Sequence, residues 1–331
     1  MSSVDVSDTL EWYRTRYRAF ESEKEVSSGT IEQRISELDR FSDWMGKPLA
    51  EATGKDIQNT FLQKVGDGYQ PTTLSSYRTA LSKFYRHMEQ AGRIEEDPMG
   101  GVNFEDMSAT SSSTTAKEIE SDRGERIHPL KPDEVEQLIE NVPAPKVRNE
   151  LLIRLMVQTG MRAGEVEYIK LENIDFDDRL IEIIETKSQP RTVSYAPNLS
   201  FLLDQWVNGG HRDVFQVAGG SPYLFVSRKK GRLRANMINK IVVKAAHNAG
   251  DDIQRKLYED AQGGRRWRVT SHALRHTFAV LSLSPDVGEG SVNLAYLRDQ
   301  MGHTDISVTQ QYLRYIEDDA LKEMKRCQPR L

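Results

Sequence analysis

A polar stretch near the middle of this chain does most to limit how it can fold. Residues 104–127 read FEDMSATSSSTTAKEIESDRGERI and are rich in serine, threonine and charged side chains. Such a segment offers no apolar face to bury, which is typical of a linker. The chain has 331 residues, enough for two separate cores. We therefore predict one domain over residues 1–103, a linker over 104–127 and a second domain over 128–331.

The first predicted domain has apolar residues at helical spacing along most of its length. Thr30 could cap one helix, and residues 56–65 form a second candidate. The longest candidate begins at Pro71 and ends at residue 91, just before Gly92. Its apolar stripe is predicted to be core and consists of Leu74, Tyr77, Leu81, Phe84, Tyr85 and Met88.

The second predicted domain mixes helices with a small sheet. Helical patterns begin at Pro132, cover residues 151–158 up to Gly160, and recur over 235–249. Residues 180–185 and 191–195 are rich in β-formers and are joined by TKSQP, which predicts a hairpin. The expected fold class is mainly α with a small β-sheet, as a helical domain followed by an α+β domain.

The charge of the chain is unevenly distributed. The net charge is −5, and residues 1–110 carry 13 Lys and Arg against 19 Asp and Glu. Residues 222–280 instead carry 13 basic and 4 acidic side chains. A basic region of this kind favours nucleic-acid binding even on an acidic protein. The candidate phosphate contacts are Arg228, Lys229, Lys230, Arg232, Arg234, Arg265, Arg266 and Arg268, with Thr72, Thr73, Arg78 and Lys83 on the 71–91 helix.

Composition argues against several protein classes. Cys327 is the only cysteine, which excludes an internal disulfide and a cysteine-based metal cage. No apolar run approaches the roughly 20 residues needed to cross a bilayer. The N-terminus lacks the apolar core of a secretion signal. The sequence therefore predicts a protein of the reducing cytoplasm.

Four polar clusters in the last 170 residues carry groups suited to attack on a phosphodiester. They are Arg162, Lys187, His272 with Arg275, and His303 with Tyr312. Guanidiniums bind phosphate oxygens through paired N–H groups. A phenol can be the nucleophile, while a lysine and imidazoles can move protons. No carboxylate cluster accompanies them, so we expect neither a metal ion nor another cofactor.

Taken singly, these residues have ordinary structural explanations. Arg162 could form a salt bridge with Glu165 or Glu167, and His303 could cap the following helix. Tyr315 lies one helical turn after Tyr312 and competes with it as nucleophile. The order of the four motifs along the chain is a more specific signal than any one of them. TGMRAGE comes first, followed by the lysine of the predicted hairpin, HALRHTFA and MGHTDISVTQQY.

With these motifs in this order, the chain resembles the tyrosine recombinases, also called phage integrases. Within that family it is similar to the Xer-type and archaeal integrase members. The resemblance covers nearly the whole chain. Residues 30–99, including PTTLSSYRTALSKFYRHM, are similar to the family's helical, SAM-like core-binding domain, and residues 128–331 are similar to its catalytic domain.

The resemblance implies a role for each residue of the set. Arg162 and Arg275 would grip the scissile phosphate, and Tyr312 would attack it to leave a 3′-phosphotyrosyl link. Lys187 would protonate the leaving 5′ oxygen. The remaining roles fall to His272 in proton transfer at the tyrosine, to His303 as a hydrogen-bond donor to phosphate, and to Glu165 as a supporting acid.

The resemblance also implies partners: double-stranded DNA, a homodimer on each site and a homotetramer in synapsis. The C-terminal segment 318–326 could then be a helix that docks on a neighbouring subunit. Two alternatives stay open. One is a type IB topoisomerase, which relaxes DNA with a related active site, and the other is a DNA-binding protein that no longer cuts.

Overall fold

The structure is a computed structural model that describes residue 15 and residues 28–104, 128–184, 189–259, 265–284, 292–303, 305–310 and 312–313. Within these residues the chain forms two compact units, one N-terminal and one C-terminal. Four predicted features lie outside the described residues: most of the linker, Lys187, Tyr315 and segment 318–326. No helix in the described ranges is long and apolar enough to span a bilayer.

In the described part of the N-terminal unit there are three α-helices: α1 (Ser28–Met45), α2 (Gly54–Gly66) and α3 (Pro71–Gln90). α2 begins at a capping box, in which the Thr53 hydroxyl accepts the N–H of Asp56 and the Asp56 carboxylate accepts the N–H of Thr53. α3 begins at Pro71. The N–H groups of the first helical turn have no acceptor within the helix, so the missing N–H of proline costs no hydrogen bond there. α1 starts two residues before Thr30, so the prediction that Thr30 caps it is wrong.

The predicted apolar stripe of α3 is confirmed as core, because all six of its residues are at most 8% exposed. The stripe packs in one cluster with Phe41 of α1 and Phe61 of α2, whose ring centroids lie 4.9 Å apart. The hydroxyl of Tyr85 donates to the carbonyl of Leu49 at 2.9 Å, which satisfies its buried polar atom.

Eight helices are described in the C-terminal unit. They are α4 (Pro132–Glu140), α5 (Lys146–Thr159), α6 (Ala163–Val166), α7 (Pro197–Val207), α8 (Ala235–Ala249), α9 (Ser271–Leu283), α10 (Leu294–Met301) and α11 (Ser307–Gln310). The helices predicted from Pro132 and over residues 235–249 are confirmed. The mainly α fold class with a small sheet is confirmed as well.

Helix α5 is the centre of this unit, since apolar residues on several of its sides are fully buried: Leu151, Leu152, Leu155 and Met156. It packs against α7 and α9. The helix ends at Gly160, whose φ of +64° lies in the left-handed region that favours glycine. A Cβ at this position would overlap the ring of Phe278 on α9. Gly160 therefore allows both the sharp turn into α6 and the close approach of α9.

The predicted hairpin is present as two strands of a three-stranded antiparallel sheet. Its strands, in sheet order, are β1 (Ile174–Asp175), β2 (Leu180–Ile183) and β3 (Arg191–Ser194). Ile181 pairs with Val193 across the ladder, and both side chains are buried in the core. A second, two-stranded sheet of β4 (Lys256–Glu259) and β5 (Arg265–Trp267) was not predicted, because both segments are short and neither shows a clear apolar alternation.

Candidate active site

The C-terminus of α10 brings three guanidinium groups together. Three successive carbonyls accept a hydrogen bond from three different arginines: Gln300 from Arg191 Nε at 2.7 Å, Met301 from Arg275 at 2.6 Å, and Gly302 from Arg162 at 3.4 Å. The end of a helix presents unpaired carbonyls and the negative end of the helix dipole, which attract cations. Side chains from β3, α9 and the start of α6 therefore converge on one point.

Arg162 occupies the N-cap position of α6. Its backbone N–H donates to one oxygen of Glu165 at 2.8 Å, and its guanidinium donates to the other oxygen at 3.1 Å. The predicted pairing with Glu165 is therefore present. The Arg162 side chain nevertheless stays 38% exposed, whereas the Glu165 side chain is 3% exposed. A backbone fixed by Glu165, together with a partly exposed guanidinium, suits a residue that binds an anion arriving from solvent.

Arg275 lies on the buried face of α9 and is 1% exposed. One of its terminal nitrogens donates to the carbonyl of Gly160 and the other to that of Met301, both at 2.6 Å. It thus links the C-terminal ends of two helices, α5 and α10. Burial and the charge of Arg162 lower the pKa of Arg275 to about 9, so it remains a cation at neutral pH.

His303 follows Gly302, whose φ of +63° ends α10 and turns the chain. Nδ1 of His303 lies 2.9 Å from the hydroxyl of the buried Thr309 on α11. Burial and the nearby charges of Arg275 and Arg162 lower the pKa of His303 to about 4. The ring is therefore neutral at pH 7. If Nδ1 accepts a hydrogen bond from the Thr309 hydroxyl, Nε2 carries the ring hydrogen and can donate a hydrogen bond to an anion.

Tyr312 is 1% exposed and packs in an apolar cluster with side chains of α9 and α10. Its hydroxyl lies 2.9 Å from Nδ1 of His276. Burial lowers the pKa of His276 to about 3, and electrostatic interactions with His272 and Arg275 act in the same direction. A neutral His276 can accept the phenol's hydrogen at Nδ1. The hydroxyl is thereby oriented, and the Arg275 charge interacts with it electrostatically.

His272 lies on the exposed side of α9, four residues before His276. The two imidazole centroids are 4.3 Å apart in an edge-to-face arrangement. Partial desolvation, followed by the charges of Arg275 and Arg162, lowers the pKa of His272. The electrostatic influence of both arginines on His272 indicates that the imidazole lies near them.

Five of the six predicted catalytic residues therefore lie around the ends of α5, α9 and α10, and the sixth, Lys187, is outside the described residues. Two further residues of the site were missed. His276 had a signal in the sequence, because it follows His272 at the i,i+4 spacing of one helix face. Arg191 had none, because its contacts come from tertiary packing alone.

The side chains predicted to contact phosphate differ in their solvent exposure. Six are exposed: Arg228, Lys229, Lys230, Arg234, Arg265 and Arg266. In the N-terminal unit Arg78 is exposed with its guanidinium 3.9 Å from the Phe104 ring centroid, while Thr73 and Lys83 are half-buried. The side chain of Thr72 lies outside the described part of the structure.

Three of the predicted contacts form ion pairs within the protein: Arg265 lies 3.6 Å from Glu259 and stays exposed, whereas Arg268 and Arg232 are more buried. Arg268 donates to both oxygens of Glu134 at 2.8 Å, and these bonds outweigh burial and lower the pKa of Glu134. Arg232 forms a salt bridge with Glu167 at 3.0 Å and lies 4.1 Å from the ring centroid of Tyr168. Their guanidiniums are held by the fold, so we leave both out of the proposed DNA surface.

Comparison with known proteins agrees with this architecture. Residues 128–317 match the phage integrase family, and residues 15–92 match the phage integrase N-terminal SAM-like domain. The chain is 24% identical over 306 residues to tyrosine recombinase XerD of Lacticaseibacillus casei, covering 89% of this chain and 90% of that protein. It is 25% identical over 320 residues to the probable integrase/recombinase MJ0367 of Methanocaldococcus jannaschii, covering 92% and 87%.

The fold is also shared with a solved structure, a lambda integrase tetramer bound to a Holliday junction. The TM-score is 0.63 at 16% identity, and the match covers 94% of this chain and 78% of that one. The family match spans more than half of the chain and includes every residue of the site described above. This protein therefore belongs to the phage integrase family of tyrosine recombinases, enzymes that break and rejoin DNA strands.

Proposed function

We propose that this chain is a site-specific recombinase that cuts double-stranded DNA through a covalent 3′-phosphate link to Tyr312 and rejoins it to another strand. The observation that carries the proposal is the meeting of Arg162 and Arg275 at the end of α10, with the phenol of Tyr312 held by His276, the residue after Arg275. Guanidiniums held at a fixed point can bind a phosphodiester and offset the charge that develops during attack.

In the proposed cleavage step, the Tyr312 oxygen forms a bond to phosphorus as the bond to the 5′ oxygen breaks. The phenol proton leaves toward the imidazoles of α9, and His272 assists this transfer. Lys187 supplies a proton to the 5′ oxygen. His303 donates Nε2–H to a phosphate oxygen, since its Nδ1 faces Thr309. The covalent link retains the energy of the broken bond, so a second 5′ hydroxyl can reverse the step and join the strands.

The supporting contacts in this proposal are with the DNA backbone. The exposed basic residues among the predicted contacts after residue 128 lie on two segments, 228–230 with Arg234, and 265–266. Such contacts fix register and contribute affinity without reading sequence. In this proposal residues 1–103 are the core-binding domain, 104–127 the linker and 128–331 the catalytic domain, and the protein acts on DNA in the cytoplasm.

The proposed assembly is a dimer on each site and a tetramer in synapsis. Lambda integrase structures include a dimer bound to a core site and a tetramer bound to a Holliday junction. The similarity of fold supports the same arrangement here. A chain ending at residue 316 should lose synapsis of two DNA fragments more than it loses binding to one, and equal losses would contradict a docking role for segment 318–326.

The test uses DNA that flanks the protein's own gene. Labelled fragments are incubated with the protein, and covalent complexes are separated on a denaturing gel before the cleaved phosphate is mapped. Wild-type protein should form a 3′-linked complex, and Tyr312→Phe should form none while binding the same fragments. Tyr315→Phe is the matched control and should retain the complex. Covalent trapping by Tyr312→Phe but not by Tyr315→Phe would assign the nucleophile to Tyr315.

The same fragments distinguish recombination from simple DNA relaxation. A recombinase should act only on plasmids that carry its site and should join two such sites. Relaxation of a plasmid that lacks any flanking DNA would instead favour a type IB topoisomerase activity.

A further inference from the structure

We infer that Arg191, at the start of β3, is a positioning residue of the phosphate site, an inference that rests on the proposed function. Its side chain is 9% exposed and makes contacts in two directions. The two terminal nitrogens donate to the two oxygens of Glu165 at 3.0 and 2.9 Å. Nε donates to the carbonyl of Gln300 at 2.7 Å.

The first consequence concerns Glu165. Its carboxylate is 3% exposed, and a buried carboxylate is costly unless cations and N–H groups compensate it. Arg191 meets both oxygens in the paired geometry that suits a guanidinium and a carboxylate. Arg162 therefore does not have to close over Glu165 alone, and its guanidinium can stay 38% exposed toward an incoming phosphate.

The second consequence concerns charge. Arg162, Arg191 and Arg275 are three guanidiniums, and Glu165 is the carboxylate among them. Together these four groups leave two positive charges. A phosphodiester carries one negative charge, and attack by a phenolate adds a second in the transition state. Arg191 keeps the local charge matched to the transition state even though it does not have to touch the phosphate.

The third consequence concerns geometry. Lys187 lies four residues before Arg191 in the sequence, between β2 and β3. Arg191 ties the start of β3 to the end of α10, next to the carbonyl that accepts from Arg275. One side chain therefore fixes the start of β3, Glu165 and the end of α10 relative to one another.

The test compares Arg191→Met, Arg191→Lys and the double variant Glu165→Gln/Arg191→Met in covalent complex formation on the gene-flanking DNA. Met removes the charge and leaves Glu165 short of a cation. We expect Arg191→Met to slow complex formation by about 100-fold with DNA affinity within about threefold of wild type. Arg191→Lys keeps the charge without the paired geometry, so its rate of complex formation should lie between those of wild type and Arg191→Met.

The double variant decides whether Arg191 acts through Glu165. Removing both charges again leaves two positive charges, so the double variant should recover at least about tenfold of the loss. Arg154→Met is the matched control, because Arg154 pairs with Glu150 at 2.8 Å on the exposed face of α5. This control should react at the wild-type rate.

Three results would overturn the inference. They are a wild-type rate for Arg191→Met, a folded double variant as slow as the single one, and equal loss of DNA binding and of cleavage in all three variants. If the single variant does not fold, the Lys and double variants carry the same comparison.

Failure of the proposed function would look different, because wild-type protein itself would then form no covalent complex. Thermal unfolding would still test the arrangement of charges. Arg191→Met should lower Tm by about 10 °C by leaving a buried carboxylate short of a cation, and the double variant should recover most of that shift. No recovery in the double variant would count against the inference on this measurement too.

Discussion

Replacing His276 with asparagine should make the folded protein less sensitive to acid. Asparagine places an acceptor oxygen close to the position of Nδ1, so the hydrogen bond from Tyr312 can be kept. It removes the group that titrates. The comparison with wild type therefore isolates the protonation of one buried imidazole, while the titration of most other groups cancels between the two proteins.

The size of the effect follows from the two pKa values of this side chain. In the folded protein the pKa of His276 is lowered from 6.5 to about 3, by burial first and then by electrostatic interactions with neighbouring groups, among them His272 and Arg275. Because the folded value lies below the unfolded one, the unfolded chain takes up the proton first as pH falls. Stability is therefore present above the unfolded pKa and is lost below it. Between about pH 7 and pH 5 the loss is at most about 2 kcal/mol.

Urea unfolding followed by circular dichroism at these two pH values measures the difference. Wild type should lose up to about 2 kcal/mol more stability than His276→Asn on acidification. The reasoning would be refuted by equal losses in the two proteins, since that would mean that folded His276 takes up a proton as readily as it does in the unfolded chain. A second measure is the imidazole nitrogen shift, which should stay that of a neutral ring down to about pH 5.

Two further predictions concern the turn before the site and the DNA surface. Gly160→Ala should destabilise the protein by about 3 kcal/mol and slow covalent complex formation, because φ is +64° and the new Cβ meets the Phe278 ring; Gly66→Ala, with open space around it, is the control and should cost little in urea unfolding. Changing Arg228, Lys229 and Lys230 to glutamine should weaken binding to all DNA sequences alike and reduce the slope of log affinity against log salt by up to about 3. An unchanged slope would remove this segment from the DNA surface.

Much of the fold could be read from local patterns. Helix α8 has the predicted bounds, and α3 begins at its predicted proline, because apolar periodicity and helix-starting residues act over short distances. The start of α1 was misplaced, since Thr30 is one of several polar residues before the apolar stripe. The sheet of β4 and β5 was missed because both strands are short and neither shows a clear apolar alternation, and β5 begins with two arginines.

The site could be predicted only where its residues lie close together in sequence. His272 and Arg275 lie three residues apart on α9, and Glu165 follows Arg162 at capping-box spacing. The sequence order also gave the set its resemblance to a known family. The contact between His276 and Tyr312 spans 36 residues and depends on how the segment after α10 folds back over α9. Periodicity carries no information on such a contact.

The convergence of the arginines has a cause that no single segment contains. Arg162, Arg191 and Arg275 come from three different elements, and each donates to one of three successive carbonyls at the end of α10. The unpaired carbonyls at a helix end attract donors and cations, and their order along the chain sets the spacing of the guanidiniums. The proposed phosphate site is thus built on a helix terminus, and Glu165 adjusts its charge by compensating one of the three cations. Burial, together with the nearby positive charge, keeps His303 and His276 neutral, so the cationic character of the site comes from arginine, which remains charged at neutral pH.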